Sequence, residues 1–212
     1  MDYRQCEYEE YSYDNISVEK LSLGNQIDNL AVSQMGDHYN KIRNKQGNYY
    51  KPFENIYHKK CAYCGIITAI QSSASFEIDH FVNGLQERLP DGSNVNHISN
   101  LVFSCRNCNQ SKKNFHVNQA IDELNPDVRI QNIFTREKDY KIIIKDEFKS
   151  NQTIKEFYNK LKFYSSFRKL DYLLLNLFYM KDHSSKEEVK NSLLKLYNEL
   201  LKLRNEQPSL LR

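Results

Sequence analysis

Three short runs of sequence decide the fold and the chemistry of this chain. They are Cys61-Ala-Tyr-Cys64, Phe76-Glu-Ile-Asp79-His80 and Asn100-Leu-Val-Phe-Ser-Cys105-Arg-Asn-Cys108-Asn109. Two Cys-x2-Cys pairs bracket an Asp-His dipeptide, and an Asn directly follows the last cysteine. The polar side chains with an obvious chemical role thus fall within about a quarter of the chain. The remaining residues must support this stretch, grip a substrate or contact a partner.

The two cysteine pairs predict a closed zinc site. In a reducing setting, paired Cys-x2-Cys motifs indicate metal ligands before disulfides. Cys61, Cys64, Cys105 and Cys108 supply four thiolates, which suit a tetrahedral Zn²⁺ ion. Four unrelated buried cysteines would not show two pairs of identical spacing. Because all four positions are protein ligands, the zinc is expected to be structural, and Cys6 is left as a free thiol.

A second and more open site is indicated by Asp79, His80 and Asn109. A carboxylate and a side-chain amide oxygen form a sparse oxygen-donor site, which suits a hydrated Mg²⁺ or Mn²⁺ ion. A neutral imidazole beside such an ion can take a proton from water. An Asp-His pair alone indicates little, and this one gains meaning from its place between the two cysteine pairs.

Composition and charge set the general class of the chain. It has 212 residues, of which 40% are hydrophobic and 12% aromatic, so global disorder is not expected. The net charge of +3 permits nucleic acid as a partner without indicating it. Residues 1–10 do not resemble a signal peptide, and the apolar residues 170–180 are too short and too polar for a membrane span. We therefore expect a cytoplasmic protein.

The expected fold class is α+β, with a strand-and-helix core between mainly helical segments. Residues 1–52 are predicted to form an N-terminal helical arm, loosely attached over its first 16 residues. Residues 53–125 hold both candidate sites, and residues 126–212 form a mainly helical C-terminal region. Within the core, strands are predicted at residues 66–70, 75–78 and 101–104, followed by a helix from residue 106.

Hydrophobic spacing predicts further elements in the two flanking segments. A helix is expected from residue 17, a strand at residues 140–145 and a buried helix at residues 170–178. Thr153-Ile-Lys-Glu156 has the pattern of a capping box at the start of another helix. A last helix carries a leucine stripe from Leu193 to Leu203, expected to pack in the core or to serve as a partner surface. The apolar positions predicted for the first helix include Val18, Leu21, Ile27 and Leu30.

The central runs resemble the HNH endonuclease motif of the ββα-metal, or His-Me finger, superfamily. The zinc-bearing branch with McrA-like and endonuclease VII-like enzymes is the most similar, over about residues 58–116. The resemblance implies a ββα-metal core in which His80 is the general base. It also implies that Asp79 and Asn109 hold the catalytic ion, and that Asn100 pins the loop backbone that orients His80.

Basic residues beside the site are candidates for contacts with a phosphate backbone. Arg106, Lys112 and Lys113 lie on the helix predicted after the second cysteine pair. Ordinary solvated charge explains Arg106 and Lys113 equally well, whereas for Lys112 the phosphate contact is favoured. Many relatives have a further His where this chain has Lys113. The catalytic ion would therefore have two protein ligands and bind weakly, with help from substrate phosphates.

The resemblance implies a metal-dependent endonuclease that hydrolyses DNA, with RNA as another possible substrate. The layout is also similar to the HNH subunits of anti-phage defence systems such as Septu, which work with an ATPase partner. One alternative is a stand-alone restriction-type enzyme whose C-terminal helices read DNA or self-associate. Another is a catalytically silent, zinc-stabilised nucleic-acid-binding module. The latter is disfavoured, because binding alone requires none of Asp79, His80, Asn100 and Asn109.

Overall fold

A small antiparallel strand pair followed by a helix lies in the middle of the chain, with helices before and after it. The computed structural model describes residues 2–10, 12–30, 35–82, 88–89, 91–113, 115 and 122–206. The helices are α1 (Ile16–Leu30), α2 (Tyr39–Ile42), α3 (Tyr50–Ile56), α4 (Arg106–Lys112), α5 (Ile130–Ile133), α6 (Gln152–Lys160), α7 (Ser166–His183) and α8 (Glu187–Glu206). The strands are β1 (Phe76–His80), β2 (Leu101–Cys105), β3 (Phe134–Arg136) and β4 (Ile142–Ile144). The expected α+β class with mainly helical flanks is confirmed.

The unit of β1, β2 and α4 positions the candidate catalytic residues. β1 and β2 are antiparallel, with Phe76 opposite Cys105 at one end and His80 opposite Leu101 at the other. Phe76 stacks on Phe103 of β2, with 4.8 Å between the ring centroids. α4 begins directly after β2 and packs against both strands. One face of α4 therefore lies beside the end of β1.

The strand predicted at residues 66–70 is absent. A single bridge joins Ile67 to Lys60, and turns follow it. Gly65 has a φ of +79°, which favours glycine, and its amide donates to the carbonyl of Cys61 at 2.9 Å. The backbone of this segment forms turns, and its isoleucine side chains are buried in the core. Their apolar pattern therefore reflects burial and not strand geometry.

The segment before α1 is docked on the core, so the expectation of a loosely attached arm is wrong for its described residues. Arg4 is fully buried, and its Nη1 donates to the carbonyls of Ala62 and Pro126, each at 2.7 Å. Lys60 is equally buried; its Nζ lies 2.6 Å from the carboxylate of Glu9 and donates to the Arg4 carbonyl at 2.7 Å. Composition could not reveal this docking, because the partners of these charges are distant in sequence.

Helix α1 buries a different face from the one that its hydrophobic spacing predicted. Ile27 is buried as expected, but Lys20 is buried too and pairs with Asp127. Gly24 permits close packing, since a Cβ there would lie 2.8 Å from the Cγ2 of Ile98. The expected apolar positions that are exposed instead are Val18, Leu21 and Leu30.

The C-terminal region packs α7 against α8 and adds a strand pair that was only half expected. β4 lies within the predicted strand, whereas its partner β3 was not predicted. Asn151 caps α6 by accepting from the Ile154 amide at 3.2 Å, so the helix starts before the predicted capping box. In the leucine stripe of α8, Leu193 and Leu200 pack partly buried on the core. The stripe residues that stay exposed are Leu196 and Leu203.

A contiguous cluster of buried apolar residues joins these parts. It includes Tyr3 near the start of the chain and Tyr197 in α8, and it draws on all three predicted segments. The Tyr197 hydroxyl also donates to the Ala69 carbonyl at 3.2 Å, which ties α8 to the turn after the first cysteine pair. The boundaries at residues 52 and 125 stay predictions.

Candidate metal centre and catalytic site

Four cysteines converge from three places in the fold. Cys61 and Cys64 flank a turn, Cys105 ends β2 and Cys108 lies in the first turn of α4. All four are buried, and their Sγ atoms lie within 4.8 Å of one another. A tetrahedral zinc ion with Zn–S bonds of about 2.3 Å would place its sulfurs about 3.8 Å apart. The Sγ atoms of Cys64 and Cys105 are 3.8 Å apart, so the cluster can hold zinc.

The cluster receives a hydrogen bond from the C-terminal region. The buried Arg168 of α7 donates from Nη2 to the Cys108 Sγ at 3.1 Å and to the Leu161 carbonyl at 3.1 Å. Burial raises the pKa of Cys108 well above its usual range. Burial also opposes ionisation of Cys61, yet hydrogen bonds with the neighbouring cysteines hold its pKa well below the usual range. A cation would allow all four sulfurs to be thiolates together.

Asp79 lies on the side of β1 that faces α4. The Tyr63 hydroxyl donates to its Oδ2 at 2.7 Å, and the Nζ of Lys112 lies 3.3 Å from the same oxygen. Burial raises the pKa of Asp79, while the charge of Lys112 and the Tyr63 hydrogen bond act against that rise. Tyr63 sits between the cysteines of the first pair, so the same turn supplies two cysteines of the cluster and a hydrogen-bond donor to Asp79.

Asn109 lies on the same side of β1 as Asp79. Its Nδ2 donates to the Oε2 of Glu77 at 2.6 Å, and Glu77 and Asp79 share a strand face because they are two residues apart. This bond turns the amide so that Oδ1 is left to accept or to ligate. Glu77 was not predicted to take part; the signal for it was its spacing of two from Asp79. The oxygen donors of this face fit a hard divalent cation.

His80 is held from the opposite side by the loop before β2 and by α2. Its Nε2 lies 2.8 Å from the Asn96 Oδ1, and the Tyr39 ring lies over the imidazole with 4.3 Å between ring centroids. Because an amide oxygen only accepts, Nε2 carries the proton and Nδ1 has the lone pair. Among the described residues, Nδ1 has no hydrogen-bond partner. Burial lowers the pKa of His80, although the Asn96 bond opposes this, and the lowered pKa favours the neutral ring.

Asn100 fastens the chain on either side of the loop that follows β1. Its Oδ1 accepts from the Val82 amide at 2.8 Å. Its Nδ2 donates to the carbonyls of Val82 at 3.0 Å and Val95 at 2.8 Å. Asn100 thus fixes the backbone just after His80, without a contact to the ring itself.

The N-terminal helices support the loop that carries Asn96. The His38 amide donates to the Asn96 carbonyl at 3.1 Å, and the Ile98 amide donates to the His38 Nδ1 at 2.9 Å. The other His38 nitrogen, Nε2, therefore carries a proton and donates to Asp28 at 3.0 Å. Sequence patterns gave no signal for Tyr39, His38 or Asn96, because the first two precede the motif and Asn96 lies in the loop between its second and third runs.

The three basic residues of α4 and its end differ in position. The side chain of Arg106 is 60% exposed and lies 3.7 Å from Glu77, and Lys113 is exposed. Lys112 is buried instead, and its Nζ donates to the carbonyls of His80 at 2.8 Å and Phe81 at 3.3 Å. Lys112 is therefore turned inward, away from the position that a phosphate contact would require.

The comparisons with known proteins bear on this central unit. No curated protein and no solved structure matches the chain. Among the described residues, no helix has the length and apolar character needed to cross a membrane. The family match covers the four cysteines, β1, β2 and α4: residues 61–115 match the family HNH endonuclease, which implies a nuclease.

Proposed function

We propose that this protein is a metal-dependent endonuclease that hydrolyses phosphodiester bonds in DNA. The observation that carries the proposal is the state of His80 within the HNH-matching residues. Its Nε2 is engaged by Asn96, its Nδ1 is left with a lone pair, and burial lowers the pKa of the ring. Asp79 and Asn109, two oxygen donors of the kind that divalent cations prefer, lie on the α4 side of the same strand.

In the proposed mechanism, His80 is the general base. Its Nδ1 takes a proton from the attacking water, and the charge formed on the ring is stabilised by the Nε2–H bond to Asn96. The Tyr39 ring, which is tilted against the imidazole, and the Asn100 bonds hold the imidazole and its backbone in place. The expected products carry a 5′-phosphate and a 3′-hydroxyl.

Asp79 and Asn109 would hold one Mg²⁺ or Mn²⁺ ion, and the donors present fit such an ion. When bound, the ion would offset negative charge on the non-bridging and leaving oxygens of the phosphodiester. Tyr63 would fix the Asp79 carboxylate, and Glu77 would fix the Asn109 amide. Arg106 and Lys113, which are exposed, are proposed to contact the phosphate backbone.

The four cysteines would hold a structural zinc ion. With four protein ligands the ion would have no open position for substrate, so its work would be to fix the end of β2 and the start of α4. Because Asn109 directly follows Cys108, zinc geometry would also place a ligand of the catalytic ion.

The test is plasmid cleavage by zinc-loaded protein with Mg²⁺ or Mn²⁺. His80→Ala is expected to lose cleavage by a factor of about a hundred or more while keeping its fold. His183→Ala is the matched control, since His183 is an exposed histidine at the end of α7. Full cleavage by a well-folded His80→Ala variant would contradict the mechanism.

A role in anti-phage defence with an ATPase partner is a further part of the proposal, supported by the resemblance of layout alone. Purified protein would be given plasmid with Mg²⁺, alone and with the products of neighbouring genes. An absence of cleavage until an ATPase is added favours this effector role. Discrete fragments from the protein alone favour a stand-alone restriction-type enzyme instead.

A further inference from the structure

Lys112 is a buried cation that contacts both the side chain of Asp79 and the backbone of His80. Its side chain is 2% exposed, and Nζ lies 3.3 Å from the Asp79 Oδ2. The same ammonium donates to the backbone carbonyls of His80 and Phe81, at 2.8 and 3.3 Å. Burying an ammonium is costly unless it is paired and hydrogen-bonded, and these contacts meet that need.

We propose that Lys112 is the counter-ion of Asp79 until a divalent cation binds, and that it thereby makes metal binding depend on substrate. The inference rests on the proposed function, because it requires Asp79 to be a metal ligand. Lys112 is a positioning residue in this scheme: it acts through Asp79 and through the backbone of His80.

The charges explain the coupling. The buried Asp79 carboxylate needs a positive partner, and Lys112 supplies one when no metal is bound. Since Lys112 also holds the carbonyls of His80 and Phe81, it cannot leave without disturbing the general base. A divalent ion on Asp79 must therefore share the site with an ammonium, and like charges this close repel. A phosphate of the nucleic acid would neutralise the excess positive charge, so metal and substrate should bind together.

The experiment measures Mn²⁺ binding to zinc-loaded full-length protein, by the electron paramagnetic resonance of free Mn²⁺, without nucleic acid. Lys112→Met is expected to lower the Kd for Mn²⁺ at least about tenfold, because the repelling charge is gone. Lys112→Arg keeps the charge and should bind Mn²⁺ as the wild type does. Lys149→Met, which removes an exposed lysine paired with Asp146, is the control and should change nothing.

A second measurement repeats the titration with DNA that carries uncleavable linkages. DNA should raise the Mn²⁺ affinity of the wild type, and this gain should shrink in Lys112→Met. A purely structural lysine would lower thermal stability without raising Mn²⁺ affinity. A lysine that contacts phosphate would weaken DNA binding and leave Mn²⁺ affinity unchanged. Either result overturns the proposal.

Two precautions keep the outcome clear. Lys112→Gln, which can still donate to a carbonyl, replaces Lys112→Met if the latter does not fold. If neither folds, a wild type whose Mn²⁺ affinity is unchanged by DNA overturns the proposal. A wild type that neither binds Mn²⁺ nor cuts DNA defeats the proposed function itself. A wild type that does both, with variants that bind Mn²⁺ equally, defeats only the inference about Lys112.

Discussion

The four-cysteine cluster and the C-terminal end of β1 both contact helix α4, but they differ in how completely their polar atoms are paired. Each sulfur in the cluster is buried among the others, and Arg168 of α7 covers one of them. At the tip of β1, His80 is half-buried and keeps one ring nitrogen without a described partner. A side chain that is fully satisfied contributes stability, whereas one left unsatisfied is able to react. Changes in the first region should therefore cost stability, and changes in the second should cost activity.

The largest expected effect is the loss of zinc from the cluster. A structural zinc ion would contribute on the order of 10 kcal/mol to the free energy of folding, so its removal should unfold the central unit. Thermal unfolding followed together with zinc release would measure this, and re-addition of zinc is the control. A stripped protein that stays folded and still cleaves would remove the proposed link between cluster and site.

Next in size is the buried ion pair beside the cluster. Lys60→Met would leave Glu9 as an unpaired buried charge, and we expect a loss of about 3–5 kcal/mol in the free energy of unfolding. The rate of cleavage per folded molecule should not change. Lys202→Met is the control, because Lys202 and its partner Glu206 are both exposed and the loss of their pair should cost about 1 kcal/mol or less. Equal losses in chemical denaturation would mean that the buried pair adds no special stability.

The third change tests the tip of β1. Asn96→Ala removes the acceptor for the His80 Nε2–H, and cleavage should slow by roughly tenfold to a hundredfold, as with other residues that orient a reactive group. Thermal stability should hardly move, because Asn96 is only half-buried. Asn191→Ala on the exposed surface of α8 serves as the control. An Asn96→Ala enzyme with full activity would show that His80 does not depend on this bond.

The smallest effect concerns pH. Because burial lowers the pKa of His80, the cleavage rate should stay constant through neutral pH and fall only below about 6.5, the ordinary value for histidine. Protonation is less favourable in the folded state, so the stability that the neutral ring contributes is also lost as pH falls in that range. Asn96→Asp would favour the imidazolium and should move the acid limb of the rate profile up by about one pH unit. An unmoved limb would argue against His80 as the titrating base.

The sequence was informative where the chemistry is local and contiguous. The two cysteine pairs predict a cluster because ligand spacing is a short-range property, and the structure gathers all four sulfurs. β1, β2 and α4 follow for the same reason, since alternation and position after a cysteine pair are read within a few residues. The roles of Asp79, His80, Asn100 and Asn109 come from the family resemblance and stay proposals.

What the sequence could not provide comes from contacts between distant segments. Asn96 contacts His80 from the loop between the two strands and Tyr39 from a helix before the motif, and the sequence around them marks neither residue. The hydrophobic spacing in α1 predicted the wrong buried face, because Lys20 is buried in an ion pair with Asp127, 107 residues away in sequence. The predicted phosphate contact of Lys112 missed its burial for the same reason: the residues that pair with it lie on another element.

The position of Arg4 has a consequence for how the protein is made. Its guanidinium donates to the carbonyl of Ala62, between the first two cysteines, and to that of Pro126, beyond the central unit. Since a ribosome releases the chain from its N-terminus, Arg4 emerges long before either acceptor and must stay hydrated until the second has been synthesised. Contacts of such high sequence separation form late and slow the overall reaction. We therefore expect nascent chains to complete the central unit only after residue 126 is free, which would delay the appearance of the folded site during synthesis.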